Sequence, residues 1–159
     1  MAKKKRNPVV AKIERGNGDH PRTLFEMVCI SMPGEIRRVE KFLGEVNKRT
    51  RLDDGTFHRL FVSTTEAVNN AILHGNKSDP AKKVCVRCVV NRDSIMVSVS
   101  DEGGGFDPAS VPNPLDEQNL LKESGRGIFL IRSMMDRVDF HPTVTGTTVE
   151  MAINLKRLR

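Results

Sequence analysis

Residues 82–105 read KKVCVRCVVNRDSIMVSVSDEGGG. The stretch alternates and is rich in Val, so it predicts two strands, Lys82–Asn91 and Ser94–Asp101, joined by a short turn at Arg92-Asp93. Ile95, Val97 and Val99 share one face by the period of two, and Asp101 extends that face. A carboxylate therefore points to the core side at the end of a strand. Burying it without donors costs several kcal/mol or shifts its pKa, so it wants a donor such as an exocyclic amine. Gly103, Gly104 and Gly105 follow at once and allow a ligand or another backbone to come close. The same residues also fit a strand-ending Asp that caps a glycine turn.

Upstream, Thr23–Met32 reads as a strand and Pro33-Gly34 breaks it. Ile36, Val39, Phe42, Leu43 and Val46 have helical spacing over 35–50. Asp53-Asp54-Gly55 is a turn and N-cap signal for a second helix with Phe57, Leu60, Phe61, Val68, Ala71 and Ile72. That helix is expected to end at His74-Gly75-Asn76, with Gly75 as the residue just past the cap. Downstream, residues 102–124 hold glycines, prolines and scattered charge, a loop long enough to suggest function. Gly125-Arg126-Gly127 opens a third helix carrying Ile128, Ile131 and Met134/Met135, and strands follow at Val138–His141 and Thr147–Leu155. Strands in hairpins with few helices argue a two-layer α+β sandwich, since a doubly wound parallel sheet would alternate more.

The chain has 159 residues, which suits one domain, because a core of that size buries roughly 70% of the surface exposed by the unfolded chain. We expect a flexible basic leader over 1–20 and a single domain over 21–159. No run of 18 apolar residues occurs, which excludes a membrane-spanning helix, and MAKKKRNP lacks the apolar core of a secretory signal. The net charge of +6 belongs to the ends: residues 1–15 carry +5, residues 156–159 carry +3, and the body carries −2. With no Trp or Tyr, the body lacks the basic patch and aromatic platforms of a nucleic-acid binder. The Lys3-Lys4-Lys5-Arg6 run fits a solvated tail, or a contact with nucleic acid or an anionic surface. Three cysteines, an odd number, point to a reducing, cytoplasmic compartment. Cys85 and Cys88, three apart on a strand, face opposite sides and cannot chelate one zinc.

Two further polar features interrupt apolar stripes. Glu66 and Asn70 lie one helical turn apart on one face, where a carboxylate and an amide oxygen can serve a hard cation or act as a base beside it. Taken alone, the pair also fits a solvated helix face. Ser124-Gly125-Arg126-Gly127 precedes a helix, whose free N–H groups and dipole favour an anion. Neither the dinucleotide glycine fingerprint nor GxxxxGK[ST] is present. On the last strand Thr147 aims inward with Val149, Met151, Ile153 and Leu155, just after Gly146.

The order Glu-x₃-Asn on a helix, DxGxG after a strand, GxG opening a helix and Gly-Thr on a final strand resembles the GHKL (Bergerat-fold) ATPase superfamily. Within it, EAVNNAILHGNK, DEGGGFDP, SGRGIFLIRSMMD and GTTV look most like the anti-sigma-factor serine-protein kinases of bacterial partner-switching systems. The resemblance covers roughly residues 23–155. It implies a mixed, mostly antiparallel sheet covered on one face by about three helices, with ATP and Mg²⁺ as the nucleotide and metal. By the same resemblance Glu66 is the general base and Asn70 the Mg²⁺ ligand. Asp101 accepts from the adenine amine, and Gly103 and Gly105 admit the nucleotide. Residues 106–124 form an ATP lid, Gly125 and Gly127 present N–H groups to phosphate, and Thr147 binds near adenine. Arg126 has no assigned role, and His74 is expected to be structural. The implied partners are a sigma factor, an anti-anti-sigma antagonist phosphorylated on Ser or Thr, and a second copy of the chain. Two readings stay open at this level: a protein kinase, or a nucleotide-dependent module that sequesters a transcription factor without phosphoryl transfer. A histidine-kinase catalytic domain is disfavoured, because residues 1–20 are too short and polar for a preceding dimerisation segment.

Overall fold

The computed structural model describes residues 10–15, 20–104 and 123–155. Six strands form one sheet: β1 (Val10–Arg15), β2 (Pro21–Ile30), β3 (Lys83–Val90), β4 (Ser94–Ser100), β5 (Arg137–Thr143) and β6 (Gly146–Asn154). Their order is β1-β2-β3-β4-β6-β5, and every pairing is antiparallel. The described part also holds three α-helices, α1 (Ile36–Thr50), α2 (Asp54–Asn70) and α3 (Glu123–Met134), with a 3₁₀ turn at Pro33–Glu35 and a π-helical turn at Ala71–Gly75.

The strands place alternate side chains on one face. Phe25, Met27 and Cys29 of β2 sit beside Val84, Val86 and Cys88 of β3, then Ile95, Val97 and Val99 of β4, then Val149, Met151 and Ile153 of β6. All twelve are buried, and they pack against Val39, Phe42, Leu43 and Val46 of α1, Leu60, Ala67 and Val68 of α2 and Ile131 of α3. This is the two-layer arrangement expected from the alternation. The β3–β4 turn is pinned by Asn91, whose Oδ1 accepts from the N–H of Asp93 at 2.9 Å and of Ser94 at 2.8 Å. The opposite face carries cross-strand ion pairs such as Arg87–Glu26 and Arg22–Glu14. Cys85 lies half-buried on that face and Cys88 lies in the core, so they point apart as expected. Burial pushes the Cys88 thiol up to about 12 and the Cys29 thiol up to about 11.

Two expectations are corrected here. The leader expected to be flexible over 1–20 contains β1, which pairs with β2 in the register Ala11 to Phe25, and Ala11 packs on the core. Its charged residues suit the edge of a sheet, and that polarity hides the strand in the sequence. The second expectation concerned the end of α2. Asp53 caps the helix start, its carboxylate accepting from the Thr56 N–H at 2.9 Å and the Thr56 hydroxyl at 2.7 Å. At the other end the helix does not close on a left-handed glycine. It widens into a π-helical turn, Ala71–Gly75, with the Asn76 N–H on the Ala71 carbonyl at 2.8 Å. Gly75 is absent from the positive-φ residues, and the left-handed reversal falls at Lys77 and Ser78 instead. The third helix also begins slightly earlier than expected, at Glu123, so Gly125 and Gly127 lie within its first turns.

Candidate functional site

The site is built where the C-terminal end of α2, the end of β4, the start of α3 and the start of β6 meet. Asp101 follows β4 directly. Its N–H donates to the Thr147 carbonyl at 2.9 Å, so the β4–β6 ladder holds its backbone. Its Oδ1 accepts from the Gly103 N–H at 2.9 Å and the Thr147 N–H at 3.1 Å. These two donors orient the carboxylate, and Oδ2 borders the space kept open at Gly75. A Cβ built on Gly75 would fall 2.4 Å from that oxygen. A Cβ on Gly103 would fall 2.0 Å from the Gly75 carbonyl oxygen, and one on Gly146 would fall 1.9 Å from the Asp101 carbonyl oxygen. Gly75 and Gly103 thus border the carboxylate and Gly146 the backbone carbonyl of the same residue, because each gap is too tight for a methyl group. This is the physical reason for Gly75, in place of the left-handed role expected of it.

Thr147 is 4% exposed, and its hydroxyl is among the buried polar atoms with no partner among the described residues. An unpaired buried hydroxyl costs about 1–3 kcal/mol, so it points to a ligand or water that completes it. Asp101 and Thr147 together offer an acceptor and a donor–acceptor side by side, which suits the amine and ring-nitrogen edge of a purine.

The second half of the site is on the facing helices. A Cβ on Gly127 would lie 2.9 Å from Glu66 Oε2, 3.2 Å from Asn70 Nδ2 and 3.3 Å from Asn70 Oδ1. The start of α3 therefore rides directly over Glu66 and Asn70, and both side chains face it, as the spacing of four predicts. Gly127 is the fifth residue of α3, so the contact falls in its second turn, close to the positive end of the helix dipole. Asn70 ends α2 and Gly75 ends the π-helical turn that follows, so this one stretch of chain runs from the Glu66–Asn70 half of the site to the Asp101 half. Gly125 and Gly127 are buried, whereas Arg126 and His74 are exposed. Gly105 and residues 106–122 of the expected lid lie outside the described residues.

The donor set fits a hard cation held jointly with phosphate. Among the described residues no group of three or more His, Cys, Asp or Glu side chains could hold an ion unaided. Mg²⁺ characteristically takes one or two protein oxygens and completes its shell with water and phosphate oxygens, so the amide oxygen of Asn70 suits that role.

Residues 30–153 match the histidine kinase-like ATPase domain family. The chain belongs to that family. Among similar proteins, the anti-sigma F factor of Oceanobacillus iheyensis is 35% identical over 109 residues, 67% of this chain and 73% of that protein. The serine-protein kinase RsbW of Bacillus licheniformis is 33% identical over 144 residues, 85% of this chain and 88% of that protein. RsbW of Bacillus subtilis is 29% identical over 148 residues, 86% of each chain. The crystal structure of the RsbU and RsbW domains of Rv1364c from Mycobacterium tuberculosis superposes with a TM-score of 0.64 at 17% identity. It covers 84% of this chain, which spans only 33% of that one, and it supports the fold alone.

For this histidine kinase-like ATPase domain, the sequence singles out Glu66, Asn70, Asp101, Gly103, Gly105, Gly125, Gly127 and Thr147, of which Gly105 lies outside the described residues. The structure brings Glu66, Asn70 and Gly127 together, and Asp101, Gly103 and Thr147 together. Gly75 and Gly146, which frame Asp101, were missed as site residues. For the two glycines the signal was their place beside motif residues, directly after the helix and directly before Thr147.

Proposed function

We propose that this protein is an anti-sigma factor with ATP-dependent serine/threonine kinase activity. It sequesters a sigma factor and phosphorylates a Ser or Thr hydroxyl of an anti-anti-sigma antagonist, in the cytoplasm and as a homodimer. One observation carries the reading: Glu66 and Asn70 lie together against Gly127 of α3, while a backbone-oriented Asp101 packs against Gly75 at the far end of the turn that continues α2. The names of the relatives supply the biological setting, since they include both anti-sigma factors and serine-protein kinases.

In this mechanism Asp101 accepts from the exocyclic amine of adenine, and Thr147 hydrogen-bonds at the same edge. Asn70 would hold Mg²⁺ through its amide oxygen, and the ion would supply neutralisation of charge on the phosphates. Gly125 and Gly127 let the backbone N–H groups of α3 approach the phosphate oxygens. Glu66 takes the proton of the antagonist hydroxyl as its oxygen bonds to the γ-phosphorus and the bond to the β-phosphate oxygen breaks, releasing ADP. Positioning and charge stabilisation supply most of the catalysis.

The test is phosphate transfer from labelled ATP to a cognate antagonist. Glu66→Gln should lose on the order of 10²-fold or more in rate with ATP binding retained, the range for a general base. Transfer at the wild-type rate would remove Glu66 from that role. Nucleotide-dependent capture of the sigma factor with no phosphate incorporated by the wild type would favour sequestration alone.

A further inference from the structure

Asn76 is 0% exposed and directly follows Gly75. Its side chain ties together three other segments. Nδ2 donates to the Ser31 hydroxyl at 2.6 Å and to the Lys83 carbonyl at 2.9 Å, and Oδ1 accepts from the Glu102 N–H at 2.8 Å. The Ser31 hydroxyl passes its own proton to the Lys82 carbonyl at 2.9 Å. The Glu102 carboxylate in turn accepts from the Lys83 N–H. Both amide hydrogens and one carbonyl lone pair are thus used inside the protein, and the residue has no exposed surface with which to touch a nucleotide.

The segments it joins are the ones that frame Asp101. Gly75, one residue before Asn76, is packed on Oδ2, and Glu102, held by Oδ1 of Asn76, is the residue after Asp101. The peptide of Gly103 then closes on Asp101 Oδ1. The backbone of Asp101 is already fixed from one side by β6 through Thr147. Asn76 is the tie on the other side, clasping the π-helical turn to the Asp101–Gly103 loop and to the ends of β2 and β3.

We propose that Asn76 is a positioning residue for purine selection: it holds the Gly75 and Glu102 backbones so that the Asp101 carboxylate presents Oδ2 to an exocyclic amine. The inference rests on the assignment of Asp101 to the purine edge. It predicts an effect on base discrimination and apparent ATP affinity, with little effect on turnover once ATP saturates. Glu66, Asn70 and Gly127 are not among the partners of Asn76.

The experiment compares ATP with inosine triphosphate, which carries a carbonyl in place of the amine, in the full-length chain. Affinities come from calorimetry, KM and kcat from phosphate transfer, and folding from urea denaturation. Asn76→Ala should bind ATP roughly tenfold more weakly and lose most of its preference over inosine triphosphate, the scale of a displaced charge-assisted hydrogen bond, with kcat within about twofold. Asn76→Asp keeps the acceptor for the Glu102 N–H but loses the two donors and buries a charge. It should retain more discrimination than Asn76→Ala while being no more stable, an order that a purely structural role would not produce. Should Asn76→Ala fail to fold, Asn76→Asp should still fall between wild type and Asp101→Asn in discrimination. Wild-type discrimination in a folded Asn76 variant, alongside its loss in Asp101→Asn, would overturn the positioning role alone. Unchanged discrimination in Asp101→Asn itself would overturn the purine-edge assignment, and this inference with it.

Discussion

Replacing Gly127 with alanine sets a gain in stability against a loss of chemistry. Gly127 lies inside α3, where glycine is about 0.8–1.0 kcal/mol worse than alanine, so the substitution favours the helix by roughly that amount. For a chain of this size that is a rise in Tm of about 2–4 °C. The added Cβ lands 2.9 Å from Glu66 Oε2 and 3.2 Å from Asn70 Nδ2. Carbon needs about 3.5 Å from such neighbours, so the carboxylate must retreat by roughly half an ångström. It can do so cheaply, because it is the far end of a flexible side chain. Misplacing a reacting group by about 1 Å costs about 10²-fold, so half that displacement costs about tenfold in kcat, or about 1.4 kcal/mol. Paired measurements of phosphate transfer from ATP and of calorimetric unfolding should therefore show a slower enzyme that melts no lower than wild type. Undiminished transfer with a raised Tm would refute the placement of Glu66 at the reacting centre. A Tm lowered by many degrees would instead assign Gly127 to packing.

The contrasting case is Gly146→Ala, whose Cβ would meet the Asp101 carbonyl oxygen at 1.9 Å. Backbone cannot retreat as a side chain does, so a loss of at least about 2 kcal/mol is expected in urea denaturation, and wild-type stability would contradict the close approach. Asp53→Ala removes both bonds to Thr56 and should cost about 1 kcal/mol without altering ATP affinity, measured by thermal unfolding and calorimetry. Arg59 donates through Nε to the Met134 carbonyl at 2.6 Å and pairs with Asp136 at 2.9 Å, tying α2 to the end of α3. Arg59→Lys should therefore lose most of what Arg59→Ala loses, because a single ammonium cannot span both acceptors. For Cys88, burial raises the thiol from 9.0 to about 12 in the folded chain, while the unfolded chain ionises near 9.0. Its contribution to stability is therefore full below pH 9 and is lost as pH rises toward 12. Cys88→Val should flatten that alkaline decline in urea midpoints, and an unchanged slope would show the decline arises elsewhere.

Period and spacing alone made much of this architecture legible. The alternation in 82–105 located β3 and β4, the spacing of Val39, Phe42, Leu43 and Val46 located α1, and the polar residues at the element ends marked Glu66, Asn70, Asp101 and Thr147. These are local properties: a side chain's face follows from counting along one element. The strand β1 escaped because an edge strand buries little, so its charged sequence carries only a faint pattern. The role of Gly75 was misjudged because a left-handed cap and a tight backbone approach both demand glycine, and the sequence does not distinguish them.

What only the tertiary structure decided is which of these groups touch. That Gly127 covers Glu66 and Asn70, that Gly75 and Gly103 enclose the Asp101 carboxylate, and that Asn76 clasps Ser31, Lys83 and Glu102 all depend on distances between segments far apart in the chain. A residue's period states which way it faces, whereas its partner is set by how sheet and helices pack to bury the shared core. Asn76 shows the difference most plainly. In sequence it is one polar residue after a helix; in the fold it is fully enclosed, and nearly all its hydrogen-bonding capacity is spent on three strands' ends at once.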